Sequence, residues 1–284
     1  MKVISYEYAG NTKDVAYEAF TFSGGEEHIR FNPSDFAQSE KVQVIARVTN
    51  SSQVMRLLMA VDALKRLCME RISIELLIPY FPYARQDRVC VAGEALGAKV
   101  MASLINQLNL NKVTVWDAHS EVAPALLDRV ENIAQVNLIE QFPQLRQQLS
   151  SGALTLISPD AGASKKTVKI SEHFGGEPEV IQAQKVRDLK TGEILQTQVL
   201  GEVSGKDVLI ADDICDGGRT FIELAKVLKA QGAKSIALYV THGIFSQGLA
   251  VFAGLIDTIY TTNSCRDKAD FIQHSDVQLE MIEL

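Results

Sequence analysis

Short apolar runs typical of strands alternate with helical patterns along the chain from about residue 42 onward. Residues 42–48 and 72–78 are rich in branched apolar side chains, which predicts two strands. Between them, apolar residues recur three and four positions apart, which predicts a helix with one buried face: Val54, Leu57, Leu58, Val61 and Leu64. This region is therefore predicted to form a β-α-β unit.

The same alternation continues through the rest of the chain. Further helices are predicted at residues 95–108 and 220–230, and further strands at 113–116, 154–157, 179–182, 208–211, 235–240 and 258–261. Strands that alternate with helices predict mainly parallel sheets covered on both faces. A polar, glutamine-rich segment interrupts the pattern at residues 141–152, so we expect two α/β domains, residues 1–146 and 147–284.

Composition and charge limit the class of protein. Hydrophobic residues make up 46% and charged residues 22% of the 284-residue chain, as in ordinary globular proteins. The net charge of −7 disfavours nucleic-acid and membrane-surface partners, because both are anionic. The four cysteines form no Cys-x-x-Cys pair, and neither a secretory signal nor an apolar stretch of about eighteen residues is found. We therefore expect a soluble cytoplasmic protein with reduced thiols.

An acidic, glycine-containing loop follows the strand predicted at residues 208–211. Asp212 and Asp213 come directly after the strand, and Asp216 precedes two glycines and the start of a helix. Glycines let a backbone approach a ligand closely, and the N–H groups at a helix start favour a phosphate. Carboxylates can accept hydrogen bonds from sugar hydroxyls, directly or through Mg²⁺. The pattern predicts a sugar-phosphate site, and the alternative is a plain turn followed by a helix cap.

This loop resembles the phosphoribosyl diphosphate loop of type I phosphoribosyltransferase folds. The resemblance implies two tandem type I phosphoribosyltransferase-like domains with mainly parallel sheets. It also implies that ribose 5-phosphate is bound by Asp212, Asp213, Asp216, Gly217, Gly218, Arg219 and Thr220.

A second unusual segment, residues 79–88, follows the strand predicted at residues 72–78. It places two prolines, three aromatic residues and Arg85 in one turn, which gives a rigid backbone, a stacking surface and a planar cation. Those features suit a nucleotide triphosphate, and the alternative is a packed loop with Arg85 in a surface ion pair. The segment resembles the ATP-site signature of ribose-phosphate pyrophosphokinases. That resemblance implies that Arg85 and Gln86 bind ATP.

Further segments resemble the same family. Asp117-Ala118-His119 matches a segment whose histidine coordinates the magnesium of Mg-ATP, and Asp160 in Ser-Pro-Asp-Ala-Gly matches a contact to metal and sugar. Lys185-Val186-Arg187 matches the catalytic flexible loop, in which Arg187 also contacts ribose 5-phosphate; the alternative is a solvated basic loop. Taken alone, a histidine or a Ser-Pro-Asp turn would carry little meaning.

Two segments depart from the family pattern. Phe22 and Glu26 match the motif that reaches the adenine of ATP, but Gly24 stands where the family usually has aspartate or asparagine. We therefore expect ATP binding with weaker selectivity for adenine. Residues 88–94 contain one basic residue where the family has several, which predicts weaker binding of anionic effectors such as phosphate or ADP.

The resemblance implies an enzyme that transfers the diphosphoryl group of ATP to the 1-hydroxyl of ribose 5-phosphate, with Mg²⁺ as cofactor. The family forms rings, so a homo-oligomer such as a hexamer is expected. Two alternatives stay open: a catalytically silent regulatory subunit, and a phosphoribosyltransferase acting on a base, which leaves the Arg85 turn unexplained. A P-loop kinase is disfavoured, because residues 201–207 have one residue too few between their glycines.

Overall fold

The computed structural model describes the chain except for Ala9, Glu70, residues 188–193 and Leu284, and it describes residues 185–187 and 194–196 by their backbone alone. The described chain divides into two compact units, Met1–Ile133 and Ala134–Leu284. Among the described residues, no helix combines the length and apolarity needed to cross a membrane.

The first unit contains a six-stranded sheet and a separate hairpin. Its helices are α1 (Ser51–Cys68), α2 (Gly97–Gln107) and α3 (Val122–Leu126), and its strands are β1 (Lys2–Glu7), β2 (Thr12–Asp14), β3 (Tyr17–Thr21), β4 (Glu27–Phe31), β5 (Ser39–Ile45), β6 (Ser73–Leu77), β7 (Lys112–Trp116) and β8 (Val130–Ile133). The sheet order is β2-β1-β5-β6-β7-β8, with β5 to β8 parallel. Strands β3 and β4 pair antiparallel as a two-stranded sheet of their own.

Helix α1 illustrates how the sequence pattern becomes packing in the first unit. The Asn50 side chain caps its start by accepting a hydrogen bond from the Gln53 N–H at 3.0 Å, and Met69 ends it in the left-handed region with φ 45°. Its predicted apolar stripe faces the core, where Leu57, Val61 and Leu64 are fully buried. The predicted β-α-β unit is therefore confirmed as β5-α1-β6.

The second unit contains a seven-stranded sheet with helices on both faces. Its elements are α4 (Gln135–Ile139), α5 (Pro143–Ser150), β9 (Thr155–Ser158), α6 (Ala161–His173), β10 (Val180–Arg187), β11 (Ile194–Val199), β12 (Asp207–Cys215), α7 (Arg219–Ala230), β13 (Ser235–Gly243), β14 (Thr258–Thr262) and β15 (Gln278–Ile282). The order is β11-β10-β9-β12-β13-β14-β15, in which β10 and β11 pair antiparallel and the other neighbours pair parallel. The fold is mainly parallel α/β, as predicted.

Both faces of this second sheet are apolar because both are covered. Leu209 packs in a cluster with Leu145 of α5 and Ile170 of α6, whereas the next residue, Ile210, packs in a cluster with Leu224 of α7. Successive side chains of a strand point to opposite faces, so a strand covered on both sides reads as a continuous apolar run. This explains why residues 208–211 contain no polar residue.

The two compact units meet earlier in the chain than the sequence suggested, after Ile133 rather than after residue 146. The glutamine-rich segment is not a linker. Its glutamines lie on the outer face of α5, while Leu145 and Leu149 are fully buried against the second sheet. A short amphipathic helix of this kind is easily mistaken for a polar boundary, because two leucines among polar residues give a weak periodic signal.

Candidate functional site

The turn after β6 presents Arg85 and Gln86 to solvent. Pairing continues past the strand, with the Ile78 N–H donating to Thr114 O at 2.9 Å and the Trp116 N–H to Pro79 O at 3.0 Å. Phe81 and Ala84 are buried in the core and anchor the turn, and Tyr83 is 45% exposed with φ 62°. Of the predicted aromatic stacking surface, Phe81 therefore belongs to the core, and Tyr83 is the exposed ring.

His119 lies after the neighbouring parallel strand, β7, in the same unit. The loop turns at Asp117, whose φ is 40°, and is held to β8 by the Asp117 N–H, which donates to Ile133 O at 2.8 Å. His119 is half-buried. The carboxyl ends of β6 and β7 thus carry the Arg85 turn and the His119 loop at one edge of the sheet, where ligands of parallel sheets bind.

Asp87 connects these two segments, and sequence reasoning did not single it out. Its side chain is almost completely buried and accepts a hydrogen bond from Arg88 Nε at 3.1 Å. Burial acts to raise the pKa of Asp87, but a hydrogen bond with Ser120, the Arg88 hydrogen bond and the charges of Arg88 and His119 outweigh it and lower this pKa. An ionised Asp87 therefore lies beside Arg88 and next to the His119 loop.

Phe22 and Glu26 lie at the tip of the β3–β4 hairpin. The tip is closed by the Phe22 N–H, which donates to Glu26 O, and by the Gly25 N–H, which donates to Phe22 O, both at 2.8 Å. Phe22 is 49% exposed, and its ring contacts Phe20 and His28 edge-on, with centroids 4.8 Å and 5.8 Å away. Both predicted residues are thus accessible to a ligand.

In the second unit, Asp212 and Asp213 lie within strand β12 rather than beyond it. The strand was predicted to end at residue 211, but its pairing with β13 continues through Cys215, which pairs with Gly243. Asp212 Oδ1 accepts a hydrogen bond from the Asp213 N–H at 2.9 Å. The ladder to β13 therefore fixes the backbone that carries both carboxylates.

The two aspartates are neighbouring carboxylates near the end of β12. Asp213 is 6% exposed, and Lys166 Nζ of α6 lies 3.7 Å from its Oδ2. Burial, and then the charge of Asp213, raise the pKa of Asp212 to about 8, with Asp160 adding to the repulsion. Gln135 on α4 holds the strand here, because its Nε2 donates to Asp212 O at 2.8 Å. A cation or a set of hydroxyl donors would stabilise this pair.

The glycines after β12 form the start of α7. Gly218 stands just before the helix with φ 81°, and its carbonyl accepts from the Phe221 and Ile222 N–H groups at 3.0 and 2.9 Å. A Cβ at Gly218 would lie 2.5 Å from Cζ of the buried Phe252, so this position requires glycine for space as well as for conformation. This close approach is to the core of the second unit, and it fixes the backbone at the start of α7.

The rest of the predicted phosphate loop is open to solvent. Asp216 and Arg219 are exposed, and Gly217 and Thr220 are half-buried. Arg219 is the first residue of α7, where the helix dipole disfavours a cation but a bound phosphate would favour one. The loop therefore provides free approach to the N-terminal turn of a twelve-residue helix.

Asp160 caps helix α6. Its Oδ1 accepts hydrogen bonds from the N–H groups of Gly162 at 3.0 Å and Ala163 at 3.2 Å, while the Ser158 hydroxyl donates to its carbonyl at 2.8 Å. This cap fixes the carboxylate at the end of β9, next to β12. The negative charge of Asp160 contributes to the raised pKa of Asp212.

Lys185 and Arg187 lie on strand β10, in antiparallel register with Thr197 and Ile194 of β11. Their backbone is therefore an extended strand, and their match to the family's catalytic flexible loop stays a prediction. Their side chains and residues 188–193 lie outside the described residues. Over the part of the chain that is described, no group of three or more histidine, cysteine, aspartate or glutamate side chains is arranged to hold a metal ion.

Comparisons with known proteins agree with this architecture. The family model described as the N-terminal domain of ribose phosphate pyrophosphokinase matches residues 7–108, and the phosphoribosyl transferase domain matches residues 128–252. A ribose-phosphate pyrophosphokinase of Mycoplasmopsis pulmonis is 30% identical to this chain, and the match covers 86% of this chain and 74% of that protein. Another, of Thermosipho africanus, is 31% identical, covering 75% and 67% respectively.

The fold is also shared with a solved structure. The crystal structure of phosphoribosylpyrophosphate synthetase from Mycobacterium smegmatis has a TM-score of 0.76 and 23% identity, and the match covers 95% of this chain and 86% of that one. Together with the two matched domains, it confirms the expected pair of phosphoribosyltransferase-like domains.

Proposed function

Because the chain belongs to the ribose-phosphate pyrophosphokinase family, we propose that it transfers the diphosphoryl group of ATP to ribose 5-phosphate, forming 5-phosphoribosyl 1-diphosphate and AMP. The 1-hydroxyl oxygen of ribose 5-phosphate forms a bond to the β-phosphorus of ATP. The bond from that phosphorus to the α,β-bridging oxygen breaks, AMP leaves, and the hydroxyl proton passes to solvent. The product serves nucleotide or NAD synthesis.

The observation that carries the proposal is the acidic pair followed by a sterically required glycine at a helix start. Asp212 and Asp213 supply acceptors for the ribose hydroxyls, and the N-terminal turn of α7 supplies N–H donors for the 5-phosphate. Asp216, Arg219 and Thr220 complete this loop. In the first unit, Arg85, Gln86 and His119 bind the phosphates of ATP, and Phe22 and Glu26 bind its base.

Transfer of a phosphoryl group depends mainly on positioning and on neutralising charge on the transferring oxygens. We assign this role to Lys185 and Arg187, with Arg85. No covalent intermediate on the protein is needed, and no side chain is assigned as an obligatory base.

Mg²⁺ fits the chemistry of these residues. The raised pKa of Asp212, caused by burial and by the neighbouring carboxylates, means that a bound cation would favour the ionised form of this residue. When bound, Mg²⁺ supplies charge neutralisation on the diphosphoryl oxygens. We assign His119 in the first unit and Asp160 in the second as metal ligands.

The direct test is incubation with ATP, Mg²⁺ and ribose 5-phosphate, followed by chromatographic detection of AMP. AMP that forms only when ribose 5-phosphate is present supports the proposal. Absence of AMP at every phosphate concentration would favour the alternative, a catalytically silent regulatory subunit. Pyrophosphate release with a free base would favour a phosphoribosyltransferase instead.

Lys185→Ala is expected to lose most turnover while keeping ribose 5-phosphate binding, because a cation that acts on the transferring oxygens contributes in the transition state. AMP formation measures the first property and calorimetry the second. Lys206→Ala is the matched control, since Lys206 forms a surface ion pair with Glu179 at 2.6 Å. Full activity of Lys185→Ala would remove Lys185 from the mechanism.

We also propose that the chain works in the cytoplasm as a homo-oligomer, such as a hexamer. Its family membership and its four free cysteines support this. Light scattering after size-exclusion chromatography measures the assembly, and a monomer at working concentration would contradict it.

A further inference from the structure

The buried face of strand β4 contains one charged residue, Glu27. Side chains alternate along this strand, and Glu27, Ile29 and Phe31 point inward; Ile29 and Phe31 belong to the core of the first unit. Glu27 is 7% exposed, at a position where the alternation favours a third apolar side chain. A carboxylate is costly there unless it is paired.

Arg56 on α1 provides that pairing. Its Nε and Nη2 donate to Glu27 Oε2 at 2.8 and 2.6 Å, and the Thr21 hydroxyl donates to Glu27 Oε1 at 3.0 Å. The Arg56 hydrogen bonds, as the largest cause, lower the pKa of Glu27 against the opposing effect of burial, and a Ser52 hydrogen bond contributes. Glu27 is therefore an ionised, fully hydrogen-bonded carboxylate.

This ion pair lies at the base of the hairpin tip. Thr21 and Glu27 are the last paired residues before the tip, residues 22–26. The hairpin is a sheet of its own and most of β3 is exposed. The hairpin is attached to its unit through the buried face of β4 and, at the end away from the tip, through Tyr17 of β3, whose hydroxyl donates to Met1 O at 2.6 Å. Ile29 and Phe31 make apolar contacts, which do not fix an orientation. Glu27, next to the tip, makes hydrogen bonds, which do.

Stability alone does not account for a charged pair at this position. The Glu27 side chain is 3% exposed and that of Arg56 33%. An ion pair with a buried carboxylate is often no more stabilising than apolar residues of similar volume, because the buried charge loses water. What it adds is a fixed geometry, since the guanidinium donates two N–H bonds to one carboxylate.

We infer that Glu27 and Arg56 are positioning residues, which hold the hairpin tip in the orientation at which Phe22 and Glu26 meet ATP. This inference rests on the proposed function of the tip. It assigns to neither residue a contact with substrate. The pair acts through the tip by joining its base to helix α1.

The test replaces the charged pair by an apolar one of similar length, Glu27→Met with Arg56→Met, in the full chain. The KM for ATP should rise about tenfold, equivalent to about 1.4 kcal/mol, while kcat and the KM for ribose 5-phosphate stay within about twofold. Amide hydrogen exchange of residues 22–26 should become faster at unchanged global stability.

Two further variants serve as a matched control and as a conservative substitution. Glu18→Met with Arg30→Met removes an ion pair of the same hairpin, 2.6 Å long but exposed, and should change neither property. Glu27→Gln keeps the hydrogen-bonding shape without the charge and should give an intermediate KM for ATP. Wild-type values for the Met–Met variant, or equal losses for both substrates, would overturn the inference. If the wild-type protein makes no AMP, the proposed function fails, and hydrogen exchange still decides the positioning role.

Discussion

Gly218→Ala is expected to damage the loop that we propose binds ribose 5-phosphate, through two separate effects. The residue has φ 81°, and an L side chain in the left-handed region costs about 1–2 kcal/mol. The new Cβ would also lie 2.5 Å from Cζ and 2.8 Å from Cε1 of Phe252, and forcing extra volume into a packed core costs about 1–3 kcal/mol. The expected loss of unfolding free energy is therefore roughly 2–5 kcal/mol.

Phe252 cannot move aside easily. Its ring is fully buried and contacts Phe245 edge-on, with centroids 5.9 Å apart, and Phe245 in turn contacts Phe271 at 5.7 Å. The loop itself must shift, so the N–H groups at the start of α7 leave their position. We expect the KM for ribose 5-phosphate to rise at least about tenfold, with a smaller change in the KM for ATP.

Chemical denaturation and steady-state kinetics measure these two changes. Gly217→Ala is the matched control for stability, because its φ is not in the left-handed region and a Cβ there would meet its nearest atoms at 3.6 and 3.7 Å, an ordinary contact. Adding Phe252→Leu to Gly218→Ala should recover part of the lost stability, since it removes the ring but not the strained φ. Equal stability of the two alanine variants would refute the reasoning.

Three other predictions follow from burial. The free energy of unfolding should fall as pH rises from about 4 to about 8, because burial raises the pKa of Asp212 and its charged form is disfavoured only in the folded protein. In denaturation curves, Asp212→Asn should remove this pH dependence and add roughly 1–3 kcal/mol to the free energy of unfolding at pH 8, and an unchanged pH dependence would count against the assignment. A thiol reagent should label one cysteine of the native protein rapidly and none in Cys90→Ser, because Cys90 is exposed and the other three are buried; a second fast thiol would contradict this. A fragment that starts at Ala134 should be more stable to urea than one that starts at residue 147, which lacks the buried Ile139, Phe142 and Leu145; equal midpoints would argue against the observed boundary.

The central α/β pattern could be predicted from sequence because its strands are buried on both faces. The apolar run at residues 208–211 and the spacing of Leu57, Val61 and Leu64 record that burial directly. The β3–β4 hairpin could not be predicted in the same way, because β3 is mostly exposed and β4 carries Glu27 on its inner face. A periodic pattern of apolar residues reflects which side chains are buried, and these two strands bury too few apolar side chains to produce one.

The candidate site was predicted by motif and corrected by backbone geometry. Asp212 and Asp213 were expected in a loop, but strand pairing depends on backbone hydrogen bonds to β13, which no side-chain pattern reveals. Asp87 was overlooked for a related reason. Its significance comes from Ser120 and His119, more than thirty residues later in the chain, and this proximity exists only once β6 and β7 are paired.

At the acidic pair in β12, the ligand binding that we propose would release a proton as well as form a complex. With its pKa near 8, Asp212 holds a proton in much of the ligand-free protein at neutral pH, and a bound cation would favour the ionised form. Binding would then release a fraction of a proton to the buffer. The heat measured by calorimetry should consequently vary with the ionisation enthalpy of the buffer, and the apparent affinity should increase with pH.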